Sequence, residues 1–193
     1  MTSIILASSS PRRRELLSNF NINTVIVKPN VGEKVLEGEA PEQVAMSLSF
    51  EKASEVAKVF SNGEIILGAD TIVWCDGKIL GKPKDEDEAM EMIKFLNNKE
   101  HEVITGLCLI KAGTNLKIID YERTIVKFRN LSYHKIERYI KTKEYADKAG
   151  AYGIQGYGSL LVEYIRGCYF NIVGLPIAKL DYLLDKYFNV SLL

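Results

Sequence analysis

An aspartate sits inside an apolar run, Ile65-Ile66-Leu67-Gly68-Ala69-Asp70-Thr71-Ile72-Val73-Trp74. A carboxylate in such a stretch is costly to bury unless it is paired, bound to a metal or catalytic. Gly68 and Ala69, small residues just ahead of it, allow a ligand close to the backbone. Lys52 is out of place in a similar way. On a helical wheel over residues 41–60 it falls in line with Ala45, Leu48, Val56 and Val59, whereas Gln43, Ser47, Glu51, Ser54, Glu55 and Lys58 form the polar arc. A lysine there either snorkels to the edge of the apolar arc or is held against an anion.

Ser8-Ser9-Ser10-Pro11-Arg12-Arg13-Arg14 brings hydroxyls and guanidinium groups to a strand-to-helix junction. Backbone N–H groups at a helix start attract anions, and arginine is shaped for bidentate phosphate contact. Cations in a first helical turn oppose the helix dipole, which an anion would neutralise. The plainer alternative is a capped helix whose arginines are solvated. No GxxxxGK[ST] pattern occurs, so a Walker-type phosphate loop is excluded. Lys82, in Gly81-Lys82-Pro83, is either a phosphate ligand or a solvated loop lysine. Gln155 is the one amide side chain in the glycine-rich stretch 150–158, and its paired donor and acceptor could read a base edge. The glycine spacing there does not match GxGxxG.

The elements that must carry these groups follow from pattern and caps. Residues 3–7 read as a short buried strand, with Ser10 as N-cap, Pro11 as first helical residue and a helix over 12–19. A second strand is expected at 22–27, a loop at 28–40, and a helix from Pro41 to about residue 60. Asp76-Gly77 marks a hairpin between 64–73 and 78–80, with Asp70-Thr71 interrupting the first of these runs. Asp85 and Glu88 resemble a capping box for a helix ending near residue 97. Strands at 101–111 and 116–128 turn at Gly113-Thr114-Asn115. Ser132 caps a helix to about 142, short runs at 160–165 and 168–173 surround the glycine cluster, and Pro176 opens a helix to 188. Helices alternating with strands early, and consecutive strands in the middle, predict an α/β fold with a mixed central sheet flanked by helices.

The 193 residues are 47% hydrophobic and 26% charged, which excludes a disordered chain. No repeat or linker divides them, so one domain over 1–193 is expected. Lys plus Arg and Asp plus Glu each number 25, a zero net charge that argues against a dedicated nucleic-acid binder. The distribution is uneven: residues 1–30 carry three positive charges in excess and residues 31–51 four negative ones. That pairing suits a small polyanion held with its metal. No apolar run approaches the roughly 18 residues of a membrane span. Cys75, Cys108 and Cys168 form no CxxC pair and read as reduced, buried thiols. The arginines follow the first apolar stretch, the reverse of a secretory signal, and a cytoplasmic location is expected. His101 and His134 have no evident partner, which disfavours Ser/His or Cys/His chemistry.

The ordered set LASSSPRRRELL (6–17), Glu33, Glu51-Lys52-Ala53, GADTIV (68–73), GKP (81–83), VITG (103–106), DKAGAYGIQGYG (147–158) and NIVGLP (171–176) resembles the Maf family of nucleoside triphosphate pyrophosphatases. The resemblance implies an elongated, two-lobed fold like that of inosine triphosphate pyrophosphatases, with a central cleft and a homodimer. It implies metal-dependent hydrolysis of a nucleoside triphosphate to monophosphate and pyrophosphate, with Mg²⁺ or Mn²⁺ as cofactor. Asp70 matches the proton acceptor; Arg12, Thr71 and Gln155 match positions tied to nucleotide choice; Ser8, Ser10, Arg13, Glu33, Lys52 and Lys82 match polar residues associated with substrate or metal. Glu33 and Asp70 are the expected metal ligands. The AYGIQG form resembles the subgroup acting on dTTP, UTP and modified pyrimidine nucleotides. The chain departs from the family at Ser47-Leu48-Ser49-Phe50 and Cys168-Tyr169-Phe170, which read as packing changes. The rival class is a division-regulating or nucleic-acid-binding protein with incidental nucleotide hydrolysis; no stable nucleic-acid or membrane partner is expected.

Overall fold

The computed structural model describes residues 3–32 and 38–193. Its elements, in chain order, are β1 (Ser3–Ala7), α1 (Pro11–Ser18), β2 (Asn23–Val27), α2 (Pro41–Ala57), β3 (Ile65–Cys75), β4 (Lys78–Leu80), α3 (Glu86–Leu96), β5 (Glu100–Lys111), β6 (Lys117–Phe128), α4 (Tyr133–Ile140), β7 (Val162–Arg166), α5 (Tyr169–Val173) and α6 (Ile177–Phe188). Two short 3-10 turns, Ala149–Ala151 and Gly156–Leu161, lie in the glycine-rich stretch. The strands pair in the order β2-β1-β3-β5-β6-β7, with β4 on β3. β1 is parallel to β2 and β3, while β3–β4 and β6–β7 are antiparallel. The sheet is mixed, as the alternation of elements predicts.

The chain divides into two compact units. The first comprises Met1–Asp70, Thr105–Glu122 and Gly174–Leu193; the second comprises Thr71–Ile104 and Arg123–Val173. In the first unit, β1 connects through α1 to β2 on one side and the chain returns through α2 to β3 on the other. The strand order therefore reverses at β1, and in open α/β sheets that reversal places ligands outside the carboxyl ends of the strands. Ser8 to Ser10 lie at that end of β1. One sheet face, from Ile5, Ala7, Ile66, Cys108 and Ile110, packs with Ala53 and Val56 of α2, and Phe50 and Phe60 close the cluster.

Gly68 determines how near α2 comes. A Cβ there would stand 2.2 Å from the Ser49 carbonyl oxygen and 2.8 Å from Ala53 Cβ. Helix and strand are thus in backbone contact, and Ser49 is fully buried at the contact. Side chains alternate across a strand, so Gly68 and Asp70 share the face toward α2.

In the second unit, Asp85 caps α3, accepting from Glu88 N at 2.8 Å, and Glu88 reaches back to Lys84 N at 2.7 Å. Ser132 caps α4. Asn171 of α5 donates to the Val103 carbonyl and to Thr124 Oγ1, whose hydroxyl donates to the Cys168 carbonyl. β3 runs unbroken from Ile65 to Cys75, in line with the strand expected over 64–73, and carries Asp70 and Thr71 within it. One expectation needs correction. Residues 168–173 form a helical turn, not an extended run: Gly167, at φ 131°, turns the chain out of β7 and Asn171 fixes it from inside. α2 also ends at Ala57, three residues short of the expected end. Cys75 and Cys108 are buried, and Cys168 is partly so.

Gly68→Ala is expected to lower the unfolding free energy by about 3 kcal/mol, since the obstructing atoms are backbone and cannot yield. Urea denaturation checks this; a change below about 0.5 kcal/mol would mean α2 can move away without cost.

Candidate active site

The first unit gathers six of the residues singled out from the sequence: Ser8, Ser10, Arg12, Arg13, Lys52 and Asp70. β1 stops at Ala7, paired with Gly68 of β3, so the serine loop begins alongside the segment that carries Asp70. Ser8 Oγ accepts from Ser10 N at 3.1 Å and from Arg13 Nη1 at 3.4 Å. Ser10 Oγ accepts from Arg13 N at 3.4 Å as the N-cap of α1. Both hydroxyls accept inside the loop, and each retains an O–H hydrogen to donate. No acidic residue stands in the first turn of α1, while Arg12, Arg13 and Arg14 do. All three lie in the first turn, at the positive end of the helix dipole.

Arg13 has a second function. It is 9% exposed, and its Nε donates to the Gly174 carbonyl at 2.7 Å. This bond joins the arginine-rich loop to the start of the C-terminal segment of the same unit. Gly174 adopts φ 117°, a backbone state that favours glycine, which explains a glycine at this place in NIVGLP. Nothing in the sequence pairs these two motifs.

Lys52 settles the choice left open by the helical wheel: its Nζ is hydrogen-bonded and ion-paired to Asp70 Oδ1, with side-chain exposures of 12% and 10%. The contact of α2 with Gly68 brings the lysine to the carboxylate two residues on. A buried pair of this kind is held against a desolvation penalty for both ions. Asp70 as a whole is 7% exposed, and an acid kept there at the carboxyl end of the parallel strands can receive a proton or hold a cation.

The other three described candidates belong to the second unit. Thr71 is half-buried in β3, whereas Lys82 and Gln155 are exposed. The loops carrying Lys82 and Gln155 are joined, since Gly150 N donates to the Gly81 carbonyl at 2.9 Å. Gly150, at φ 65°, lies so close to Val73 that a Cβ would meet its side chain at 2.9 Å. Glu33 lies outside the described residues. Among the described residues no group of three His, Cys, Asp or Glu side chains is placed to hold a metal.

His101, which has no evident partner in the sequence, has one in the fold. Its Nε2 is 2.7 Å from Tyr152 Oη, and its ring stands edge-on to Phe128 and Tyr152. The hydroxyl of Tyr139 donates to the Ala151 carbonyl at 3.1 Å. Together they anchor the glycine-rich stretch just before Gln155. His101 lies two residues before buried Val103 in β5 and so shares its face. Burial holds the His101 pKa down at about 3, against 6.5 for an exposed imidazole.

Residues 3–187 match the Maf-like protein family. The chain is 56% identical over 98% of its length to a Clostridioides difficile protein named dTTP/UTP pyrophosphatase, covering 97% of that relative. An Alkaliphilus oremlandii protein of the same name is 50% identical over the full length of both chains. Among solved structures, the Staphylococcus aureus Ham1 protein superposes with a TM-score of 0.51 at 12% identity, over 84% of this chain and 81% of that one. At this identity the likeness speaks for the fold alone, and it bears out the α/β architecture read from the sequence.

Lys52→Met is expected to lower the unfolding free energy by about 3 kcal/mol, since it strands a buried carboxylate; a loss under about 1 kcal/mol in urea denaturation would show a pair that behaves as an exposed one. For His101 the unfolded chain binds the proton below about pH 6.5 and the folded chain only near pH 3. Stability should therefore fall as pH decreases through that window, by up to about 1.4 kcal/mol per unit. A His101→Gln variant should lack this share of the slope; equal slopes in the two proteins would contradict it.

Proposed function

This chain belongs to the Maf-like protein family, and on that premise we propose that it hydrolyses nucleoside triphosphates, dTTP and UTP among them, to the monophosphate and pyrophosphate. The observation that carries this reading is the buried Lys52–Asp70 pair beside an arginine-rich helix start. Relatives up to 56% identical that are named dTTP/UTP pyrophosphatase support it over a division-regulating or nucleic-acid-binding role.

The chemistry follows from the groups in place. Arg12 and Lys52 neutralise a polyphosphate, to which the O–H groups of Ser8 and Ser10 donate. Arg13 keeps the loop in shape through Ser8 and Gly174 and adds its charge, and Lys82 contributes a further cation. A triphosphate is a stronger anion than one carboxylate, so it draws the Lys52 ammonium away from Asp70. The carboxylate then accepts a proton from the water that attacks phosphorus. Cations already fixed around the phosphates stabilise the charge that develops as the bond breaks. Thr71 and Gln155 read the base, Gln155 through its paired amide donor and acceptor.

A divalent cation, Mg²⁺ or Mn²⁺, fits the donors present. Hard cations of this size are bound through one or two carboxylates together with substrate phosphates and water, and Asp70 is the described residue that would hold one, with Glu33 as the second carboxylate. The ion supplies charge neutralisation at the phosphates. The reading extends to a homodimer in solution and to a cytoplasmic location. No helix among the described residues is long and apolar enough to cross a membrane.

A panel of nucleoside triphosphates incubated with the purified protein and Mg²⁺ tests the reaction: pyrophosphate from dTTP and UTP is expected. Orthophosphate in its place, or no product from any nucleotide, would overturn the reading. Asp70→Asn keeps the shape and removes the base, and turnover should drop at least about a hundredfold. Near wild-type turnover in a folded Asp70→Asn protein would remove Asp70 from the role.

A further inference from the structure

The 3-10 turn Gly156–Leu161 has Gln155 at its N-cap position, yet Gln155 makes no side-chain capping bond. A Ser, Thr, Asp or Asn side chain at this position ordinarily satisfies the N–H of the second or third residue of the turn. Here those residues are Tyr157 and Gly158, and both N–H groups donate to the carboxylate of Glu144, Tyr157 N to Oε2 at 2.9 Å and Gly158 N to Oε1 at 3.1 Å. One acid from outside the turn takes both donors. The Gln155 amide takes no part in capping and stands exposed.

The surroundings fit this arrangement. Gly156 adopts φ 64°, and a Cβ on it would lie 2.7 Å from Glu144 Oε2. Gly158 approaches the Gly153 carbonyl so closely that a Cβ would stand 2.0 Å from its oxygen. Lys148 Nζ donates to the backbone carbonyl of Glu144 and, at 2.8 Å, to Asp147. The glycines therefore admit the carboxylate and fold the loop upon itself, while Lys148 fixes the backbone from which Glu144 extends. Hydrogen bonds to an ionised acceptor are among the stronger ones in proteins.

We propose that Glu144 is a positioning residue for nucleotide selection: by capping the turn that Gln155 opens, it fixes the backbone from which the Gln155 amide reaches the base. This rests on the pyrophosphatase reading above and deepens it. Both carboxylate oxygens of Glu144 are engaged by the turn, so its removal acts on base recognition and leaves bond cleavage intact.

The test uses the full-length protein with dTTP and, as a purine competitor, GTP. In Glu144→Ala, KM for dTTP should rise about tenfold with kcat within about twofold, the loss of one strong bond's worth of positioning. The dTTP-over-GTP ratio of kcat/KM should fall by a similar factor. Glu144→Gln keeps size and one acceptor, and it should lie between wild type and Glu144→Ala; it also serves if the alanine variant does not fold. In the double variant with Gln155→Ala the loss should be no greater than in Gln155→Ala alone, because both substitutions remove one function. An unchanged dTTP-over-GTP ratio in a folded Glu144 variant, or losses that multiply in the double variant, would overturn the proposal. Wild-type protein that releases no pyrophosphate would instead overturn the pyrophosphatase reading, so the two failures are distinguishable.

Discussion

The ion pair between Lys52 and Asp70 is the constraint around which the first unit is built. Two opposite charges, each about nine-tenths buried, are tolerable only if they remain in contact, because either alone would bear a desolvation penalty of several kcal/mol. Contact requires α2 to lie against β3 at backbone distance, and only a residue without a side chain at position 68 permits that. Small, buried Ser49 and Ala53 on the facing side of the helix follow from the same demand. What looks in the sequence like two misplaced charges and an unrelated glycine is one packing arrangement.

That arrangement is also where chain topology puts a ligand. The order β2-β1-β3 leaves the carboxyl end of β1 at the reversal point of the sheet. The serine loop occupies this end, and α1 begins there with three arginines and no acid. Cations in a first helical turn oppose the helix dipole, and an anion bound there offsets that cost. The zero net charge of the whole chain conceals this, because the acidic surplus of residues 31–51 follows directly in sequence.

Much of this is legible in the sequence alone. Proline, serine and aspartate caps mark the starts of α1, α2, α3 and α4, since capping is local chemistry that needs no tertiary context. Asp70 and Lys52 stand out because each breaks a periodicity that burial enforces. Their mutual contact is not legible, as no rule relates a position on a helix to one on a strand eighteen residues later. The bond from Arg13 to Gly174 spans 161 residues and is hidden for the same reason. Glu144 looks like one acid among many on an exposed segment; its function depends on where Tyr157 and Gly158 turn their N–H groups. His101 is a similar case: it shares the face of Val103, but its partner Tyr152 lies too far along the chain for spacing to reveal.

Lys52 and Asp70, on the proposed chemistry, act as one device, a pair whose opening by the triphosphate arms the carboxylate. A double-mutant cycle on the rate of pyrophosphate release from dTTP, comparing Lys52→Met, Asp70→Asn and the protein carrying both, measures that directly. If the two residues work as a unit, the double variant should be no slower than the slower single variant. Losses that multiply would show two independent contributions and contradict the claim.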